Sequence, residues 1–140
     1  MKVSQILTRA MITIASEDTI LAAAKLLVEK NIGLLVVTRP EGQLVGVISE
    51  RDIIRVIASG RVLTTSVADV CTKNVVTVRA NSDVAEAAKA MNKHGIRHVV
   101  VVDDKDKLVG VVSMRDLVGE RATLTAILQS NEKEIFHGAD

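Results

Sequence analysis

Apolar residues fall along this chain in two rhythms. Short unbroken runs of Val, Leu and Ile alternate with stretches where they recur every three or four positions. Met11 to Ile14 is such a run and predicts a strand. Ile20, Ala24, Leu27 and Val28 then recur at i, i+4, i+7 and i+8, which predicts a helix with one buried face. Asp18 stands ahead of it as a candidate N-cap. Leu34 to Thr38 and Leu44 to Ile48 flank the turn Arg39-Pro40-Glu41-Gly42 and predict a hairpin, with a helix from Glu50. The succession then returns. Val84, Ala88, Met91 and Asn92 repeat the helical face with one polar slip at the end. Val99 to Val102, the charged turn Asp103 to Lys107 and Leu108 to Val112 repeat the hairpin, and a helix starts at Met114. The strand runs are continuous rather than alternating, so both sheet faces are expected to be covered.

The return is a true internal repeat. Val3 to Arg55, moved forward by 64 positions, lies on Val67 to Gly119 without a gap, with sixteen of fifty-three pairs identical. Leu44 to Asp52 (LVGVISERD) over Leu108 to Asp116 (LVGVVSMRD) is the densest match. Such self-similarity fixes architecture before any other reading. Each copy reads strand, helix, strand, strand, helix. The first is taken as residues 1–64. The second is taken as residues 65–126, with a helical extension to about residue 135. Gly60 to Ser66 links them. The extension carries the apolar stripe Leu117, Leu124 and Leu128, which must bury against the N-terminal segment or a second subunit. The polar tail from Asn131 to Asp140 is expected to fray.

A copy of roughly sixty residues makes a marginal core by itself, so the two are expected to pack as one folding unit. Hydrophobic residues make up 48% of the 140, ample for a core, yet Phe136 is the one aromatic. A net charge of +1 and the lack of aromatics argue against a nucleic-acid surface. The single cysteine, Cys71, excludes an intrachain disulfide and suits a reducing compartment. Its repeat partner is Leu7, so it reads as a small apolar core residue rather than a nucleophile. No apolar run approaches a membrane span, and the start lacks a signal-peptide core, so a cytoplasmic protein is expected. His94 and His98 are four apart, but Gly95 should end the helix between them and no third ligand is near. Neither a metal site nor a catalytic set is expected.

The repeated chemistry is Gly, two apolar residues, Ser, any residue, Arg, Asp, at Gly46 to Asp52 and Gly110 to Asp116. It sits where a strand becomes a helix. One reading is structural: Ser49 and Ser113 cap helices, and Asp52 and Asp116 complete a capping box and favour the dipole. The other uses the same place differently. A helix N-terminus offers free N–H groups to a phosphate, Ser adds a donor, and Arg51 or Arg115 adds a charged fork. A carboxylate would repel phosphate, but it suits the two hydroxyls of a ribose. Gly46 and Gly110 would let a ligand or another backbone come close. The set then points to a nucleotide.

The two stretches NIGLLVVTRPEGQLVGVISERDIIR and GIRHVVVVDDKDKLVGVVSMRDLV, each with Gly, apolar, any residue, Ser, two residues, Asp, resemble the second half of a CBS domain. This module is named after cystathionine β-synthase. The resemblance runs from Val3 to about Leu117 and is to a tandem pair of the stand-alone prokaryotic or archaeal type. It implies an α+β (mixed α/β) fold of two β-α-β-β-α repeats packed with pseudo-twofold symmetry. It also implies a regulatory, energy-sensing module without catalysis or a cofactor, and often a homodimer. Its ligands would be AMP, ADP or ATP, or else S-adenosylmethionine or NAD. By position, one ligand cleft would take Val111, Ser113, Arg115 and Asp116, with Arg97 and His98, and Ile12, Thr13 and Ile32 from the first copy. The other would take Val47, Ser49, Arg51 and Asp52, with Val76, Thr77 and Ile96 from the second.

The clefts are unequal. Arg97-His98 align with Gly33-Leu34, and Glu50 replaces Met114. The Asp116 cleft is therefore expected to hold a phosphate more tightly. A ligand-free interaction scaffold is the rival reading, with the stripe at Leu124 and Leu128 as its contact surface. A regulated protein bound in trans is the expected partner, and neither a membrane nor nucleic acid is.

Overall fold

The computed structural model describes residues 1–7, 11–119 and 125–129. In the first copy the order is β1 (Thr13–Ala15), α1 (Ile20–Lys30), β2 (Leu34–Thr38), β3 (Leu44–Ser49) and α2 (Glu50–Ala58). The second repeats it as β4 (Thr77–Arg79), α3 (Val84–His94), β5 (His98–Val102), β6 (Leu108–Ser113) and α4 (Met114–Gly119). The expected mixed α/β architecture is therefore present. It consists of two three-stranded sheets, β1-β2-β3 and β4-β5-β6, each with one parallel and one antiparallel pair. The hairpins form in matched register, with Leu34 opposite Ser49 and His98 opposite Ser113.

The first helix departs from expectation in two places. Its N-cap is Thr19, whose hydroxyl accepts from the Ala22 N–H at 3.1 Å, and not Asp18. Asp18 instead closes a turn by donating its N–H to the Ala15 carbonyl. The repeat places Asp83 at the equivalent position, where its carboxylate accepts from the Ala85 N–H at 2.8 Å. The buried face of α1 runs through Ile20, Ala23 and Leu27, while Val28 is 82% exposed. An eight-residue step carries a residue about 80° around a helix of 3.6 residues per turn, so Val28 falls past the rim of the buried stripe. Both helices end on a left-handed residue, Asn31 (φ 52°) and Gly95 (φ 63°).

The chain divides into two compact units, and they do not follow the order of the copies. Residues 1–10 join residues 76–140, while residues 11–75 form the other unit. Three hydrogen bonds tie the leading segment to the second copy: Val3 N–H to the Ser82 carbonyl, Ser4 N–H to the Ala80 carbonyl, and Val84 N–H to the Met1 carbonyl. The second leading segment makes the same three with the first copy. They run from Val67 to Asp18, from Ala68 to Ser16, and from Ile20 to Thr65. Val3 and Val67 are each fully buried. Each unit thus combines the leading segment of one copy with the body of the other.

The core of one unit gathers Val84, Ala88, Met91, Val99, Val101, Val112 and Leu117 with Val3 and Ile6 from the leading segment. The other gathers Ile20, Leu27, Leu35, Val37, Ile48 and Ile53 with Val67 and Cys71. The extension beyond α4 adds Ile127, which is fully buried in the first of these cores. Leu117 of the expected stripe is fully buried, whereas Leu128 is 41% exposed and its neighbour Ile127 takes the buried place. Ile127 shares its cluster with Val3 and Ile6, so the N-terminal segment is part of what covers it. Leu124 and the tail from Asn131 to Asp140 lie outside the described residues. Among the described residues, no helix is long and apolar enough to cross a membrane.

Candidate functional site

Each Ser-x-Arg-Asp motif lies where the third strand of its sheet passes into a helix. Ser49 and Ser113 have extended backbones or end their strands, and the next residue is helical. Both motifs close reciprocal capping boxes. Ser113 N–H donates to Asp116 Oδ2 at 2.9 Å, and Asp116 N–H donates to Ser113 Oγ at 3.0 Å. Ser49 and Asp52 do the same at 2.9 and 3.1 Å. The structural reading of the motif is thus correct as far as it goes. The cap uses one carboxylate oxygen of each Asp and fixes the direction of the other. Asp116 Oδ1 makes no hydrogen bond or ion pair with a described residue. Asp52 Oδ1 lies 3.7 Å from the exposed Arg55 guanidinium. The Asp52 side chain is 14% exposed, so it is largely shielded while remaining reachable.

The strand entry is tied to the same spot. Met114 N–H donates to the Arg97 carbonyl at 2.7 Å, and Glu50 N–H donates to the Gly33 carbonyl at 3.0 Å. With His98 opposite Ser113, one end of the second sheet holds Arg97, His98, Ser113, Arg115 and Asp116 together. Arg97 and Arg115 are exposed, and His98 is half-buried. The corresponding end of the first sheet holds Gly33, Leu34, Ser49, Arg51 and Asp52, with one cation fewer.

The remaining expected residues lie on edge strands and loops of both units. Thr13 and Thr77 are exposed on β1 and β4, while Ile12, Ile32, Val47, Val76, Ile96 and Val111 are half-buried. Ile12 and Ile32 sit in one compact unit and Val76 and Ile96 in the other. The carbonyls of Ile12 and Val76 hold the middle strands through Val36 and Val100. The two glycines make room for the chain itself. A β-carbon on Gly46 would strike the Thr72 carbonyl, and one on Gly110 would lie 3.1 Å from Leu7 Cδ2. Val47 is accordingly paired in both directions with Thr72, at 2.9 Å each way.

Cys71 is buried in the core, as expected, and burial pushes its thiol up from the ordinary range. Gly95 ends α3 between His94 and His98. Among the described residues, no three His, Cys, Asp or Glu come together as a metal site. Sequence reasoning passed over one cluster, the cations on α3 and β4. Its signal was available as charge differences between aligned positions of the two copies.

A family model for the CBS domain matches twice, over residues 3–59 and 67–122. A CBS domain protein of Pyrobaculum aerophilum, solved in complex with AMP, superposes with a TM-score of 0.88 at 36% identity, covering 93% of this chain and all of that one. The CBS domain pair of protein MJ0100, solved with 5'-methylthioadenosine and S-adenosyl-L-methionine, gives 0.78 at 34% identity over 85% of this chain and 94% of that one. An uncharacterized 17.7 kDa protein of Acidianus ambivalens is 40% identical over 116 residues, 83% of this chain and 70% of its own length. The matched residues include both hairpins and both capped Asp motifs, and the chain belongs to the CBS domain family, of which it carries two domains in tandem.

Proposed function

We propose that the protein is a non-catalytic regulatory module that binds an adenine nucleotide, AMP, ADP or ATP, and passes its ligand state to a partner protein. One observation carries the reading. Each motif Asp is oriented by its own cap, and in Asp116 the second carboxylate oxygen is left without a protein partner among the described residues. An acceptor held in that way suits the two hydroxyls of a ribose. AMP in the Pyrobaculum relative, and S-adenosyl-L-methionine in the MJ0100 pair, support an adenosine ligand. In this reading Arg97, His98, Val111, Ser113, Arg115 and Asp116 act with Ile12, Thr13 and Ile32. Val47, Ser49, Arg51 and Asp52 act with Val76, Thr77 and Ile96. The apolar members flank the base. Ligand then shifts the population of forms that the partner distinguishes.

Phosphate binds more tightly on the Asp116 side, because Arg97 and His98 stand where the first copy has Gly33 and Leu34. A charge-assisted bond contributes about 1.5–3 kcal/mol, so the difference is about tenfold or more. Titration calorimetry with AMP tests this. Asp116→Ala removes the stronger event, and Asp52→Ala leaves it in place. Equal affinities, or loss of the stronger event in Asp52→Ala, overturn the assignment. A thermal-shift panel of AMP, ADP, ATP, S-adenosylmethionine and NADH tests the class. A ligand at 100 times its dissociation constant adds about 2.7 kcal/mol, and no shift with any of them favours an interaction scaffold instead.

Homodimer formation belongs to the same proposal. Ile54 and Ile57 on α2, and Leu21 and Val28 on α1, are 65, 56, 40 and 82% exposed. Sedimentation of Ile57→Glu beside the parent reads it, with dissociation expected and an unchanged mass counting against it.

A further inference from the structure

Edge strand β4 and the side of α3 next to it line an open groove of about 440 Å3, within the usual size range of small-ligand sites. Val76, Val78 and Ala90 line it with apolar side chains. Arg79, Lys89, Lys93 and His94 also line it, with Glu86 the single acid among the lining residues. The cations are not equally engaged. Arg79 is anchored at the hairpin turn, donating to the Asp103 carbonyl at 3.2 Å and lying 3.5 Å from Asp106 Oδ1. Lys89 sits 3.9 Å from Glu86. Lys93 makes no ion pair with a described residue. Lys89 and Lys93 are four apart and so neighbours on the α3 surface. Ser82 and Thr77 are the hydroxyl-bearing residues of the lining.

This charge is not a property of the repeat. The aligned positions in the first copy hold Ala15 for Arg79, Asp18 for Ser82, Ala22 for Glu86 and Glu29 for Lys93. Lys25 answers Lys89, and Lys30 answers His94. Over the ten lining positions the second copy has three fixed cations and one anion, whereas the first has two of each. We propose that the groove is a binding site for an oligophosphate chain, of two or three linked phosphoryl groups. Several donors around a short concave space suit a compact, multiply charged oxyanion. They suit an extended acidic peptide less, since it would overrun a groove of this volume. The capped aspartates do not line the groove, although Val76 and Thr77 belong both to it and to the residues assigned to the Asp52 cleft.

Titration calorimetry of the full chain with inorganic tripolyphosphate tests the proposal. A saturable event that depends on Lys93 is expected. Lys93→Glu weakens it by about tenfold or more, while Lys25→Glu, at the aligned position of the first copy, leaves it unchanged. Lys93 is exposed, so an unaltered melting temperature of Lys93→Glu confirms that the comparison is between folded proteins. Absence of saturable binding overturns the proposal. So does an equal affinity in Lys93→Glu, an equal loss in Lys25→Glu, or tighter binding of a hexa-aspartate peptide than of tripolyphosphate. The probe carries neither sugar nor base, so it does not report on a ribose at Asp52 or Asp116, and the Lys93→Glu arm separates binding in the groove from phosphate binding by Arg97 and Arg115.

Discussion

The carbonyl of Thr72 stands where a β-carbon on Gly46 would project, with Cys71 Sγ at 3.1 Å from the same point. In the aligned place of the second copy, the nearest described atoms to a β-carbon on Gly110 belong to the Leu7 side chain, with Cδ2 at 3.1 Å. Leu7 and Cys71 are themselves repeat partners. The contact is therefore repeated, but among the described residues one glycine meets backbone and the other a flexible side chain.

Gly46→Ala should accordingly cost about 3 kcal/mol, because Thr72 is held by two hydrogen bonds to Val47 and cannot yield cheaply. Gly110→Ala should cost about 1 kcal/mol or less, since Leu7 can change rotamer. Urea unfolding of the two variants measures the difference. Equal losses would show that Thr72 gives way as easily as Leu7.

Ile127 and Leu128 are neighbours with opposite fates. Ile127 is fully buried with Val3 and Ile6, and Leu128 is 41% exposed. Ile127→Ala is expected to destabilise by about 2–5 kcal/mol, and Leu128→Ala by less than about 0.5 kcal/mol. Thermal unfolding of both variants reads this, and a larger loss at Leu128 contradicts the buried position of Ile127.

Val3 belongs to the first copy in sequence and to the core of the second in space. Truncating it to Ala should cost about 2 kcal/mol. Hydrogen exchange should quicken at Val99 to Val101 in β5 more than at Leu35 to Val37 in β2. The reverse order would mean that the leading segment supports its own copy.

Asp103 organises the β5–β6 turn. Its Oδ1 accepts from the Lys105 and Lys107 N–H groups at 2.8 and 2.9 Å, and these bonds, Lys107 first, hold the carboxyl below its ordinary range. The folded state thus releases this proton at lower pH than the unfolded state. Stability from Asp103 is complete above the unfolded value of about 3.9 and is lost as pH falls through the lower folded value. Melting curves of the parent and Asp103→Ala should differ near neutral pH and converge in stronger acid. A gap that widens in acid would reverse the sign.

Much of this was legible in the residues. The shift of 64 positions, the two hairpins, the Gly95 helix end and the burial of Cys71 all follow from local pattern or from comparing the copies. The capping boxes were legible too, because Ser and an acid three apart close the same ring wherever a strand meets a helix. Thr19 was missed in favour of Asp18, since both are good caps and only backbone geometry separates neighbours. Val28 fits the apolar pattern at i+8, although its angle carries it past the edge of the buried face.

By itself the sequence determined the duplication, the element types and the motif that makes a nucleotide ligand a sensible proposal. These depend on spacings of a few residues, over which backbone geometry is nearly fixed. Only the tertiary structure decided which leading segment joins which copy, that Gly46 makes room for Thr72, and that cations from β4 and α3 share one groove. Those relationships join positions distant along the chain or on different elements. Two copies of one unit offer each leading segment a choice of partner, and only packing in three dimensions resolves it.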